Sequence, residues 1–193
     1  MEFSSAKDQV SATLVTRPGL GETVGAGGVY TVECVGPDGQ VKWADSFHNL
    51  VMNGGLANMN GAYLAGSAQS TTWYLGLVTG PGSGTTFSAG DTLASHGATG
   101  SGGWTENTDY TGNRKAVTFG AATTANPSVI TNSASPSSFA MSGTATIAGA
   151  FLCNVATGTS GVLFSAGDFT GGDKSVASGD TLNVTYTFSL TAT

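Results

Sequence analysis

From residue 29 the chain alternates. Tyr30, Val32 and Cys34 fall on one side of an extended run and Thr31 and Glu33 on the other, the period of two that marks a half-buried β-strand. Pro37-Asp38-Gly39 supplies turn chemistry before residues 41–47 resume the pattern, so 29–47 reads as a β-hairpin. Near the end of the sequence Leu182, Val184, Tyr186, Phe188 and Leu190 interleave without exception with Asn183, Thr185, Thr187, Ser189 and Thr191. One face of that strand belongs to a core and the other to water. Between these ends, residues 71–78, 114–119, 128–132, 139–155 and 161–164 read as further strands separated by Gly, Ser, Asn or Pro. In 71–78, Trp73, Leu75 and Leu77 alternate with Tyr74, Gly76 and Val78, and two apolar faces predict an inner strand covered on both sides, with a helix as a candidate cover for one.

Only 49–64 carries helical spacing. Met52, Leu56, Met59 and Tyr63 are four, three and four apart, which sets them on one helical face. Gly54 and Gly55 fall inside this helix, each at a cost of up to about 1 kcal/mol relative to Ala. Residues 1–28, with few large apolar groups, Pro18, and the closing glycines Gly25, Gly27 and Gly28, read as an extended arm. Its unspent backbone donors and acceptors suit it to add to a neighbour's sheet edge and to order on assembly. Residues 79–103, rich in Gly, Ser and Thr and broken by Phe87 and Leu93, read as a surface loop longer than the ~12–15 residues usual in a compact domain. Phe87-Ser-Ala-Gly-Asp-Thr-Leu93 is echoed at 164–168 and 178–182, and Gly-Asp in each is read as convergent turn chemistry.

Seven or more short strands with turn-rich links predict an all-β fold: a β-sandwich over residues 29–193, jelly-roll-like first and Greek-key second, with one short helix and the N-terminal arm at 1–28.

Composition narrows what such a domain does. Charged residues are 9% of the chain against about 25% in an average soluble protein, while three Trp, five Tyr and nine Phe give it material for a packed core. The net charge is −6 and the six basic residues are scattered apart from Arg114-Lys115, which predicts no direct nucleic-acid binding. No apolar run approaches the ~18 residues of a membrane span, and residues 1–14 lack the apolar stretch of a signal peptide. Synthesis and folding in the cytoplasm are expected, where Cys34 and Cys153 act as two small buried thiols, a disulfide being the alternative if they face each other.

Candidate chemistry is sparse. His48 and His96 are far apart and neither has a second His or Cys at metal-ligand spacing. Glu106 and Asp109, three apart beside Trp104 and Tyr110, have the acids-with-aromatics character of carbohydrate sites. The competing reading pins both aromatics in a core and lets the acids meet Arg114 or Lys115. Asp168, Asp173 and Asp180 sit beside glycines without EF-hand spacing, which favours turns over calcium. The expectation is a non-enzymatic protein with no catalytic, cofactor-binding or metal residue.

One ordered set of segments resembles a family of tailed-bacteriophage virion structural proteins. It runs through Asn49-Leu50-Val51, Trp73-Tyr74-Leu75-Gly76-Leu77, 91–96, Gly103-Trp104-Thr105-Glu106, Tyr110, Arg114, Asn132-Ser133 and Phe139. It closes on Ala148-Gly149-Ala150-Phe151-Leu152, 161–165 and 179–186. The resemblance spans about 29–190 and implies a head decoration or cement protein on the outer capsid surface, with the major capsid protein as partner, no cofactor and no catalytic residue. A homo-oligomer is implied, a trimer first because decoration proteins often occupy threefold lattice positions. The alternative is a tail or fibre adsorption module that binds a host surface glycan through exposed aromatics such as Trp104 or Tyr110.

Overall fold

The computed structural model describes residues 23–80, 87–97 and 104–192. Along these the elements are β1 (Val24–Val35), β2 (Val41–His48), β3 (Leu50–Val51), α1 (Asn53–Leu64), β4 (Tyr74–Thr79) and β5 (Thr105–Asn107). Then come β6 (Lys115–Ala116), β7 (Ser128–Thr131), β8 (Ser137–Ala140), β9 (Ala145–Cys153), β10 (Leu163–Asp168), β11 (Lys174–Val176) and β12 (Thr181–Ala192). All pairings are antiparallel and form two sheets, β2-β1-β12-β7 with β8 also on β12, and β3-β10-β9-β4-β5 with β11 on β9 and β6 on β4. The chain is thus an all-β sandwich with one α-helix among the described residues. Hairpins β1–β2 and β9–β10 each stay within one sheet, a connectivity that does not by itself establish the expected jelly roll.

The alternation read at both ends of the chain makes the first sheet. Tyr30, Val32 and Cys34 are buried opposite Tyr186, Val184 and Leu182. These inner side chains meet Leu75, Leu77, Ile147, Ala150 and Leu152 of the second sheet in the main core. Each large side chain taken fully out of water contributes about 1.5–3 kcal/mol.

The arm ends earlier than expected. Residues 24–28 belong to β1, with Val24 opposite Ala192 and Gly28 opposite Phe188. Gly28 is required there, because a Cβ would sit 2.7 Å from the Tyr186 hydroxyl. A glycine cluster that resembles a linker is therefore a close backbone approach. Residues 1–22, the remainder of the expected arm, lie outside the described residues.

Apolar residues on both faces of β4 are explained by a second cluster on the outer side of its sheet. Val78, Ala148, Phe151 and Cys153 are covered there by Leu93, Trp104 and Met52, with Phe87 packed alongside. Leu93 and Phe87 come from the segment expected to be a surface loop, and Trp104 follows it directly; of residues 79–103, 81–86 and 98–103 lie outside the described residues. Helix α1 packs instead on β10. Its buried residue is Gly55, where an added Cβ would come 2.6 Å from the Phe164 carbonyl oxygen. The expected apolar face turns outward in part: Leu56 and Tyr63 are exposed, Met59 is half-buried, and fully buried Met52 precedes the first turn. Residues 139–155, read as one strand, divide between β8 in the first sheet and β9 in the second, with the chain crossing at 141–144.

The sequence echo is a repeated turn at two of its three places. Asp91 donates its N–H to the Ser88 carbonyl and accepts from the Ser88 N–H, and Asp180 does the same with Ala177. Each is followed two residues later by a fully buried leucine, Leu93 or Leu182. Gly167-Asp168, the third, lies within β10 and forms no turn.

Candidate functional site

Beside α1 the sandwich is open. Met52 donates its N–H to the Phe164 carbonyl at 2.8 Å and so fixes the start of the helix against β10. At its other end the chain reverses through Gly66, whose φ of +68° is in the left-handed region that glycine tolerates. Gln69 then donates to the Tyr63 hydroxyl at 3.1 Å. Helix and returning segment form one wall of a crevice of about 270 Å³. Tyr186, Phe188 and Leu190 of β12 with Ile130 of β7 form the other, and Leu152 and Phe164 lie at its base. Trp73 meets Phe164 edge-on at 5.2 Å, and Phe164 meets Phe188 edge-on at 5.2 Å, so aromatic packing sets the shape. Polar groups stand at the rim: Asn58, Gln69, Ser70 and Ser128.

The outward side of the same helix is apolar as well. Tyr63 is 75% exposed, Leu64 84% and Leu56 40%; residues seven apart on a helix face the same way. Tyr63 and Leu64 stand together in the last turn, and Leu56 lies in the first; a single exposed leucine means little by itself. Leu56 and Tyr63 were not singled out as binding groups in the sequence, because helical spacing alone reads them as core.

Under the crevice wall runs a buried hydroxyl network. Tyr30 and Ser165 share a 2.7 Å hydrogen bond, Ser165 donates to the Tyr186 hydroxyl at 3.2 Å, and Asn49 donates to the same oxygen at 2.8 Å. Burial pushes both phenol groups well above their ordinary range. They remain neutral and join the two sheets.

The acids and aromatics near residue 106 form structure. Arg114 grips Glu106 with two hydrogen bonds, Nε to Oε1 at 2.8 Å and Nη2 to Oε2 at 2.6 Å, and Nη1 donates to the Val155 carbonyl at 3.1 Å. Asp109 accepts from the Asn107 side chain at 3.0 Å. Trp104 is buried and donates to Asp91 at 3.2 Å, and Tyr110 is buried edge-on to Phe139. Trp104 and Tyr110, named as examples of exposed aromatics for the glycan alternative, are thus both buried.

His48 is exposed at the end of β2, and His96 lies in a π-helical turn, Leu93–Gly97. Asp168 is exposed at the end of β10, and Asp180 is buried beneath Lys42. Asp173 stands before β11, near Gly80. Among the described residues, no group of three or more His, Cys, Asp or Glu side chains is placed to hold a metal ion. Cys34 and Cys153 are both buried and free, one in the core between the sheets and the other in the outer cluster. Burial pushes the Cys34 thiol up to about 11, helped by the neighbouring Asp180 carboxylate. The Cys153 thiol is raised too, chiefly by burial. Neither has the lowered pKa of a reactive cysteine. No described helix is long and apolar enough to cross a membrane.

In comparisons with protein-family models, curated proteins and solved structures, nothing matches this chain.

Proposed function

We propose that this chain is a non-enzymatic decoration, or cement, protein of a bacteriophage head, which binds the outer shell surface and stabilises it through protein–protein contacts. The observation that carries the contact reading is the outward face of α1, where Leu56, Tyr63 and Leu64 stand exposed at the edge of an otherwise weakly charged sandwich. An aromatic flanked by aliphatic groups is the composition of an interface centre. The ordered segments between 49 and 186 support the phage assignment. On this reading the partner is the major capsid protein, the location is the virion head surface after synthesis in the host cytoplasm, and the protein acts as a homo-oligomer, a trimer at threefold positions first. It needs no nucleic acid, membrane or cofactor. With Trp104 and Tyr110 buried, a tail or fibre glycan-binding role would have to use other aromatics.

Cryo-electron microscopy of the assembled particle tests the proposal. Sandwich density on the outer head surface, reduced in particles carrying Tyr63→Arg with Leu64→Glu, is the expected result. Density on the tail would favour the adsorption role, and absence from the particle would overturn both.

A further inference from the structure

We infer that Asn53 is a site of spontaneous modification, where the Gly54 amide nitrogen closes on the Asn53 side chain and converts it to aspartate and isoaspartate. This concerns the free protein and stands independently of the particle reading.

The same tripeptide occurs twice at α1. Met52-Asn53-Gly54 opens the helix, and Met59-Asn60-Gly61 lies within it. Asparagine is a thermolabile residue, and a following glycine has no side chain to obstruct ring closure. With identical immediate neighbours, any difference in reactivity between the two comes from the fold.

At Asn60 the helix holds the reacting groups. The Gly61 N–H is inside the ladder, where it donates to the Ala57 carbonyl one turn back, and the Asn60 carbonyl accepts from the Ala65 N–H at 3.3 Å. Closing the ring turns the peptide plane between the two residues, so both bonds must break. At Asn53 the constraint is weaker. Gly54 is the second residue of α1 and has no helical carbonyl behind it. Met52 supplies no side-chain cap, and among the described residues no backbone carbonyl accepts the Gly54 N–H. Both Asn53 and Gly54 are exposed, and a Cβ on Gly54 would meet nothing nearer than 3.6 Å, so the plane has room to turn. The remaining pair of this type, Asp38-Gly39, is held as Asn60 is: the Gly39 N–H donates to the Gly36 carbonyl at 2.9 Å, and Asp38 Oδ1 accepts from the Gln40 N–H at 3.0 Å.

The reaction consumes water and releases ammonia, with no change of oxidation state. The Gly54 nitrogen loses its proton to base and bonds to Asn53 Cγ, and the side-chain nitrogen leaves as ammonia. Water then opens the cyclic imide. Cleavage at Cγ gives aspartate, and cleavage at the backbone carbonyl gives isoaspartate, whose main chain runs through the side chain. Either product adds a negative charge to a first turn that has no acidic residue. Aspartate there suits the free N–H groups. Isoaspartate inserts an extra main-chain carbon between the Asn53 N–H, which donates to the Ala89 carbonyl at 2.8 Å, and the Gly55 contact with β10. Both anchors cannot then be kept, and the start of α1 loosens.

The test incubates the full, unaltered chain in mildly alkaline buffer and maps both asparagines by mass spectrometry, with fragmentation that separates aspartate from isoaspartate. In the folded protein Asn53 should convert at least about fivefold faster than Asn60, the factor set by one more hydrogen bond to break. In urea the two should convert at equal rates. Gly54→Ala should slow Asn53 alone, with circular dichroism matching the parent. Three results would overturn the inference: Asn60 keeping pace with Asn53 in the folded protein, Asn53 staying intact while the unfolded chain converts, or aspartate forming at Asn53 without isoaspartate.

Discussion

Arg114 holds both carboxylate oxygens of Glu106, and both side chains are nearly excluded from water, at 2% and 9% exposure. The guanidinium also lies 5.3 Å from the centre of the Phe151 ring, so the pair ties β5 to the segment before β6 and closes the outer cluster. A buried pair of this kind adds little over an apolar pair of similar shape, yet breaking it strands a charge. Arg114→Met should therefore cost about 3–5 kcal/mol. Adding Glu106→Leu should return a large part of that loss. Denaturant titration of the two variants checks this, and a single-variant loss below about 1 kcal/mol would show the pair to be peripheral.

Phe188 lies on the most regular strand and is 8% exposed, in edge contact with Phe164 and stacked toward Tyr186. Phe188→Ala should cost about 3 kcal/mol, at the low end for a buried phenylalanine, because its ring borders the open crevice and the site can partly collapse. Equilibrium unfolding measures it, and a cost under about 1 kcal/mol would contradict its place in the core.

How far the sequence spoke depends on what each contact asks of the chain. β12 and the β1–β2 hairpin were legible because a strand with one wet face must alternate. The helix was legible as a helix but not in its orientation. Met52, Leu56, Met59 and Tyr63 have the spacing of a buried face, while the residue that docks is Gly55, which has no side chain to register in a hydrophobic pattern. Phe87 and Leu93 were hidden for a different reason: isolated apolar residues among glycines and serines show no period, though they cover Phe151 and Val78. The crevice draws on α1, the segments around residues 70 and 120, and four strands, so no local spacing could announce it. Near residue 106 the residue types suggested both an ion pair and a catalytic pair, and the Arg114 geometry favours the first.

Asp180 makes stability depend on acid. Lys42 donates to its Oδ1 at 2.6 Å and the Ala177 N–H to its Oδ2 at 2.9 Å, and the lysine hydrogen bond first, then the backbone one, hold its carboxyl below the ordinary carboxylate range. A depressed folded pKa contributes stability that is fully present above the unfolded value of about 3.9 and is lost as pH falls through the folded value. Asp180→Asn should thus be less stable than the parent at neutral pH, and the gap should narrow as pH drops below about 4. Urea titrations across that interval decide it; a constant gap would assign the loss to packing against Cys34 instead.

Adjacent glycines in α1 should respond to alanine with opposite signs. Gly54 and Gly55 lie in the first turn of α1, where the helix-interior preference for Ala over Gly of up to about 1 kcal/mol is an upper bound. At Gly54 a Cβ would meet the Leu163 carbonyl at 3.6 Å and a Val162 methyl at 3.8 Å, ordinary contact distances, so Gly54→Ala should gain several tenths of a kcal/mol up to about 1. At Gly55 a Cβ would lie 2.6 Å from the Phe164 carbonyl oxygen and 3.0 Å from its Cα. Those are backbone atoms of Phe164, at the bulge between Leu163 and Ser165 in β10, and its carbonyl oxygen already accepts the Met52 N–H at 2.8 Å, so they cannot swing aside as a side chain would. The helix must lift off the sheet instead, so Gly55→Ala should lose about 1–3 kcal/mol despite the better helix propensity. Thermal unfolding of the two variants beside the parent gives the answer: a higher Tm for the first and a lower Tm for the second. If both rise, α1 is held by the crevice wall rather than by Gly55, and the contact with Phe164 is not what fixes the helix.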